Sequence, residues 1–200
     1  MLENIHWTGH AGFKIKYNQV IYIDPFRIKE TEPADLIIIT HEHFDHLSPE
    51  DIRRILDKNT IIITTPNCAS KLSGTVKTIS PGKTVEIEGI KIEAVPAYNI
   101  NKDFHPKSKS WIGVVITVGG MRVYHAGDTD NIPEMRNLRD IDVALLPVSG
   151  TYVMTAEEAA EAANTIMPKV AVPMHYGTII GTRADAERFK RLCKCKVVLF

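Results

Sequence analysis

The sequence predicts an α/β fold in which sheets are covered by helices on their outer faces, and three observations point that way. Short apolar runs rich in β-branched residues recur between Gly, Pro and Asn punctuation throughout the 200 residues. Helix-type segments with clear start signals fall between those runs, at Ser48-Pro49 and at Thr155 to Glu158. With 44% hydrophobic residues and no linker or low-complexity tract, the chain can bury the core of one domain spanning residues 1–200, two-layered or duplicated.

The elements follow in order. Strands are expected at 3–8, 11–17 and 19–24, broken by Gly9 and by Asn18-Gln19, and then at 35–40. A helix near 49–57 has Ser48 as its N-cap, Pro49 at its first position and the acids Glu50 and Asp51 at the positive end of its dipole. A strand at 60–65 and a short helix at 67–73 come next, then strands at 76–79, 83–88 and 90–96 punctuated by Ser80-Pro81-Gly82 and Gly89. Residues 111–118 and 121–125 flank Gly119-Gly120 and read as a hairpin. In the second half a strand at 143–148 precedes a helix from the capping box Thr155 to Glu158 to about Met167. A strand at 169–173, a helix from Arg183 to Leu192 capped by Thr182, and a last strand at 196–200 complete the chain.

Chemistry concentrates where the apolar run Leu36 to Ile39 ends. The next residues, His41, Glu42, His43, Phe44, Asp45 and His46, put three imidazoles and two carboxylates into six positions. These are the ligands that borderline divalent cations prefer, and turn chemistry recruits Gly, Asn, Asp and Ser instead. On an extended segment His41 and His43 point the same way and grip one ion, while Phe44 turns inward to anchor the loop. Asp45 and His46 follow at the turn into the helix and are placed to serve a second, displaced ion.

The pattern of a strand ending in potential ligands recurs twice. Val123 and Tyr124 lead to His125, Ala126, Gly127, Asp128, Thr129 and Asp130, and Val170 to Pro173 lead to His175 and Gly177. Loops beyond strand ends converge on one sheet edge and are held rigidly there. Alone, Asp128 reads as a turn residue and His175 as a core or capping histidine. Beside the 41–46 cluster they become ligand candidates.

These residues carry a resemblance to the metallo-β-lactamase-fold hydrolases. His41 to His46 matches the HxHxDH signature of that superfamily, and the likeness continues in order through Asp128 and His175 across essentially the whole chain. The segments around Trp7 to Phe13, Tyr22 to Pro25 and His125 to Asp130 are similar to the compact branch of ascorbate-6-phosphate lactonase-like hydrolases. The resemblance implies a four-layered αβ/βα sandwich with a dinuclear site at one edge. It implies His41, His43 and a further histidine on one metal, Asp45, His46 and His175 on the other, and Asp128 bridging them. It also implies hydrolysis by a hydroxide held between two divalent ions, zinc first, with manganese, iron or nickel as alternatives.

The sequence departs from the family pattern at the further histidine, where Asn99 stands after Val95, Pro96, Ala97 and Tyr98. His105 is the nearest substitute, and Pro106 restricts its backbone. Asp45 is the candidate for positioning the nucleophile and passing its proton to the leaving group. His10, in a Gly-flanked turn, fits either a site-lining, substrate-contacting role or a structural one. Asp24 before Pro25 fits an outer carboxylate that orients a ligand histidine, or a simple turn residue. His125 is expected to support the site or core, His6 is structural, Cys193 and Cys195 form a CxC pair without a partner pair, and Cys68 is a small buried residue.

Charge limits the partners. Twenty-four basic and 24 acidic residues cancel, which argues against generic nucleic-acid or membrane binding and for a small-molecule substrate. The odd cysteine count, the absence of a signal-like N-terminus and the absence of an apolar run of spanning length make the cytoplasm the default compartment. A homo-oligomer stays compatible with the sequence. No Gly-x-Ser-x-Gly elbow, Walker loop or dinucleotide fingerprint offers a competing chemistry. The expected function is hydrolysis of a small ester, lactone or phosphoester. The alternative, suggested by Asn99 and by the absence of an accessory substrate domain, is a metal-binding or sensing protein of the same fold with little catalysis.

Overall fold

The computed structural model describes residues 2–200 and divides into two compact units, the first ending at Ser80 and the second running from Pro81 to Phe200. Each unit is built on its own mixed sheet, and each passes from an antiparallel meander into parallel strands joined by helical crossovers.

In the first unit the strands β1 (Ile5–Gly9), β2 (Gly12–Lys16) and β3 (Val20–Ile23) run antiparallel, and β4 (Leu36–Ile39), β5 (Ile61–Thr64) and β6 (Thr75–Thr78) continue parallel in the order β1 to β6. All four residues of β4 are buried, as suits a central parallel strand with an unbroken apolar sequence. Its alternate residues Ile37 and Ile39 pack with Ile52 and Ile55 of helix α1 (Pro49–Ile55) and with Ile62. Ser48 caps α1 and Pro49 opens it, as the sequence predicts, and the Asp51 carboxylate accepts from the Ser48 hydroxyl and from the backbone N–H groups of Arg27 and Ile28. The expected helix at 67–73 shortens to α2 (Pro66–Ala69), after which the chain continues in turns.

In the second unit the order is β13-β12-β11-β10-β9-β8-β7. Strands β7 (Thr84–Ile87), β8 (Ile90–Pro96), β9 (Ile112–Val118) and β10 (Met121–His125) are antiparallel, and β11 (Val143–Pro147), β12 (Val170–Met174) and β13 (Lys196–Val197) extend the sheet in parallel. Gly119 and Gly120 both have positive φ, 56° and 76°, the two-residue turn whose twist matches the β9–β10 hairpin. Helix α3 (Ala156–Ile166) begins with the capping box: the Thr155 hydroxyl accepts from Glu158 N–H, and the Glu158 carboxylate accepts from Thr155 N–H at 2.8 Å. Helix α4 (Arg183–Leu192) buries Ala186 and Phe189 and begins where Thr182 donates to the Asp185 carboxylate. The last strand is two residues long, not the five expected: the ladder with β12 pairs Lys196 and Val197 and ends with the Val198 N–H donating to the Ala171 carbonyl. Among the described residues no helix is long and apolar enough to cross a membrane.

Candidate metal centre

In the first unit the site grows from the C-terminal end of β4. The chain after Ile39 does not stay extended but turns at once, with the N–H groups of His46 and Leu47 both donating to the carbonyl of His43. Leu47 is the apolar residue this turn buries. Phe44 is 67% exposed, so the expected inward anchor is corrected: the tight turn points it outward, edge-on to Phe26 at 5.8 Å between ring centroids. The turn nevertheless brings the histidines together, with His41 Nε2 and His43 Nδ1 3.1 Å apart. Two nitrogens bound to one ion at about 2.1 Å stand roughly 3.0–3.4 Å from each other, so this spacing suits a shared cation.

Asp24, at the end of β3, organises these rings from behind. Its fully buried carboxylate accepts from Thr40 N–H at 2.8 Å, from the Thr40 hydroxyl at 2.6 Å and from His46 Nδ1 at 2.7 Å. Because Thr40 spends its proton on Asp24, its oxygen accepts from His41 Nδ1 at 3.0 Å. One carboxylate therefore sets the tautomer of two histidines, leaving the Nε2 lone pairs of both His41 and His46 directed away from it. Of the two readings of Asp24, the structure gives the orienting carboxylate.

His10 completes this half. It lies in the β1–β2 turn with φ 52°, in the left-handed region, fully buried, its carbonyl held by Trp7 Nε1 at 2.9 Å and its own Nε2 2.9 Å from Asp45 Oδ2. Donor atoms of His10, Asp45 and His46 lie within 4.8 Å of one another. Asp24 and His175 also adopt positive φ, 44° and 61°. Non-glycine residues in this region cost about 1–2 kcal/mol each and persist where surrounding structure overrides the preference. Three such residues belong to the candidate site.

In the second unit Asp128 lies between two histidines. Its Oδ2 is 3.2 Å from His105 Nε2 and 3.1 Å from His175 Nε2. His105 is reached through Asn99: the Asn99 amide N–H groups donate to Asp130 Oδ1 and to the Tyr152 carbonyl, which fixes the amide so that its Oδ1 accepts from His105 N–H at 2.9 Å and from His105 Nδ1 at 3.0 Å. Nδ1 thus carries a proton, and the Nε2 lone pair faces a carboxylate oxygen. Two lone pairs meeting at this distance repel unless a proton or a metal cation lies between them, and the distance suits two ligands of one divalent ion. The Asn99 side chain is thus engaged on both its nitrogen and its oxygen, and its oxygen holds His105.

His175 follows β12, and its Nδ1 is 3.0 Å from the Ser149 hydroxyl. Asp128 is presented by a turn after β10 in which Gly127 N–H donates to His125 Nδ1, giving His125 the supporting role expected of it. Gly113 on β9 makes room for this turn: a Cβ there would lie 2.5 Å from the Ala126 carbonyl oxygen. Asp130 ties down the loop before His105 through Ile100 N–H at 2.7 Å and Lys102 Nζ at 2.7 Å. Cys68 is buried beside Thr65, which donates to its sulfur, and burial pushes its thiol pKa up. Thr40, Ser149, Asp130 and the orienting role of Asn99 escape sequence reasoning; the only signal was their position next to a ligand candidate or at a strand end.

Donor sets of this kind on an α/β scaffold define a superfamily of metal-using enzymes. Residues 4–175 match the family described as the β-lactamase superfamily domain, and the chain belongs to it, with the metallo-β-lactamase type of α/β fold. Within it the chain belongs to the UPF0173 metal-dependent hydrolases. A member from Methanoculleus marisnigri is 37% identical over 195 residues, covering 92% of this chain and 86% of the relative. A crystal structure from Parabacteroides distasonis, assigned as a metal-dependent hydrolase, is 38% identical with a TM-score of 0.88, covering 98% of this chain and 91% of that one. Igni18, a metallo hydrolase from Ignicoccus hospitalis, is 28% identical with a TM-score of 0.80 over 98% and 94% of the two chains.

Proposed function

We propose that the protein hydrolyses a small ester, lactone or phosphoester with two divalent ions. His41, His43 and His105 would hold one, Asp45, His46 and His175 the other, and Asp128 would serve both. The observation that carries this reading is the single oxygen Asp128 Oδ2, which meets imidazole nitrogens of both His105 and His175 within 3.2 Å. Five imidazoles and two carboxylates of this kind fit zinc first and accept manganese, iron or nickel. When bound, such ions polarise the scissile group and lower the pKa of water from about 15.7 towards 7, so that no side-chain base is needed to generate the nucleophile.

The chain's own residues do the rest. Asp24 and Asn99 hold His46, His41 and His105 in the tautomer that presents Nε2. Asp45, steadied by His10 at 2.9 Å, would position the attacking oxygen and pass its proton to the leaving group. We further take the substrate to be a free small molecule and the setting to be cytoplasmic. The hydrolase reading is preferred to the non-catalytic alternative because the UPF0173 relatives are described as metal-dependent hydrolases and because Asn99 is bonded to His105.

The test is turnover on a panel of ester, lactone and phosphodiester probes before and after chelation, repeated with His43→Ala. Activity that disappears with the metal, returns on adding it back and is missing from the variant supports the reading. Undiminished hydrolysis by metal-free protein would overturn it.

A further inference from the structure

We infer that the substrate is an uncharged carbonyl ester or lactone bearing an apolar acyl group, not a phosphoester. This rests on the hydrolase reading above and narrows it. In the second unit the residue before His105 is Phe104, 48% exposed, and Ile100 on the same loop is 53% exposed. Phe104 stands edge-on to Tyr152 with ring centroids 4.7 Å apart. The Tyr152 carbonyl is the group 3.2 Å from His105 Nδ1 that also accepts from Asn99. The aromatic pair is thus tied to the hydrogen bonds that aim the ligand, and its distance from His105 is fixed by them. In the first unit, independently, exposed Phe44 stands between His43 and Asp45 and leans on Phe26. Exposed aromatic groups of this size are costly in water unless they meet an apolar partner.

The charges on the same segments are already matched. Lys102 pairs with Asp130 at 2.7 Å, Lys107 with Glu134 at 3.1 Å, and Lys109 lies 5.9 Å from the Trp111 ring centroid. Lys71 pairs with Glu42 at 2.7 Å. Arg27 differs, its guanidinium stacked on Phe26 at 5.0 Å, and it supplies a control for a substrate carrying a carboxylate. Beyond the metal ions themselves, these segments offer an anionic phosphoester no lysine that is not already paired or stacked, and a phosphoester without an apolar group would leave the aromatics wet. For the neutral ester, the oxygen of water bonds to the carbonyl carbon, the carbon–oxygen ester bond breaks, and the departing alkoxide takes a proton, giving carboxylic acid and alcohol.

The experiment compares the metal-loaded protein on p-nitrophenyl acetate, butyrate and octanoate with bis(p-nitrophenyl) phosphate, in the parent and in Phe104→Ala, Phe44→Ala and Arg27→Ala. The expected result is kcat/KM rising about tenfold or more from acetate to octanoate. Phe104→Ala should remove most of that rise through KM, with metal content read alongside to show that His105 keeps its place. Preference for the phosphodiester, a chain-length effect unchanged in both Phe variants, or a loss confined to Arg27→Ala would overturn the inference and leave the hydrolase reading standing. Inactivity on every probe would overturn both.

Discussion

Asp24 Oδ2 lies 2.7 Å from His46 Nδ1 and, through the Thr40 hydroxyl, also governs His41. A buried carboxylate that touches no reacting group thereby sets two of the imidazoles expected to bind metal. Outer partners of this kind are worth about 10–100-fold in metal affinity. Asp24→Asn should weaken metal binding by that factor or more, since an amide cannot accept from Thr40 and His46 on the same terms. Competition with a chromophoric chelator measures it.

Asn99 holds His105 by two hydrogen bonds from one side-chain oxygen. Asn99→Ala should lower metal affinity about tenfold or more. It also leaves the buried His105 N–H without its acceptor, a cost of about 1–3 kcal/mol visible in urea denaturation of the apo protein. Unchanged affinity would remove Asn99 from the site.

His10 contacts Asp45 from a strained turn but is not among the proposed ligands. His10→Gln is expected to keep the metal and to lose about 100-fold or more in kcat, the lower end of what a positioned proton carrier contributes. A variant that loses metal instead would make His10 a ligand.

Gly113 permits the backbone of the Asp128 turn to approach β9. Gly113→Ala should destabilise the fold by about 1–3 kcal/mol and displace Asp128, so that stability and metal binding fall together. Denaturant midpoints with and without metal separate the two effects.

Glu32 provides an acid-sensitive element away from the site. Hydrogen bonds from Lys14 and Lys16 hold its carboxyl at about 2, below the usual 4.5. A depressed folded pKa contributes stability above the unfolded value, and that contribution is lost as pH falls from about 4.5 through about 2. The parent should therefore lose more stability across that window than Glu32→Gln, measured by thermal unfolding in a pH series. Equal losses would mean the Lys pairs are screened out by solvent.

Much of the fold was legible because its signals are local. Ser48, Pro49 and the Thr155 to Glu158 box announce helix starts by hydrogen bonds within one turn, and Gly119-Gly120 announces its hairpin by backbone conformation. The His41 to His46 cluster stood out because no packing role demands such a composition. What the sequence concealed depends on contacts between distant residues. The outward Phe44 is one such feature: an extended loop would turn it inward, but the chain turns back on His43. Thr40 and Asn99 are ordinary strand-end residues until Asp24 and His105, 16 and 6 positions away, are seen beside them. The left-handed backbones of His10, Asp24 and His175 carry only a weak local signature: Asp and His enter that region more readily than most non-glycine residues, but few of them do.

The most direct test of the two-ion reading is metal content per chain by elemental analysis, in the parent and in His105→Ala prepared identically, with circular dichroism confirming that both are folded. The reading predicts close to two ions per parent chain and a clear fall in the variant, because His105 and Asp128 would share one of them. One ion or none per chain, unchanged by the substitution, would contradict it.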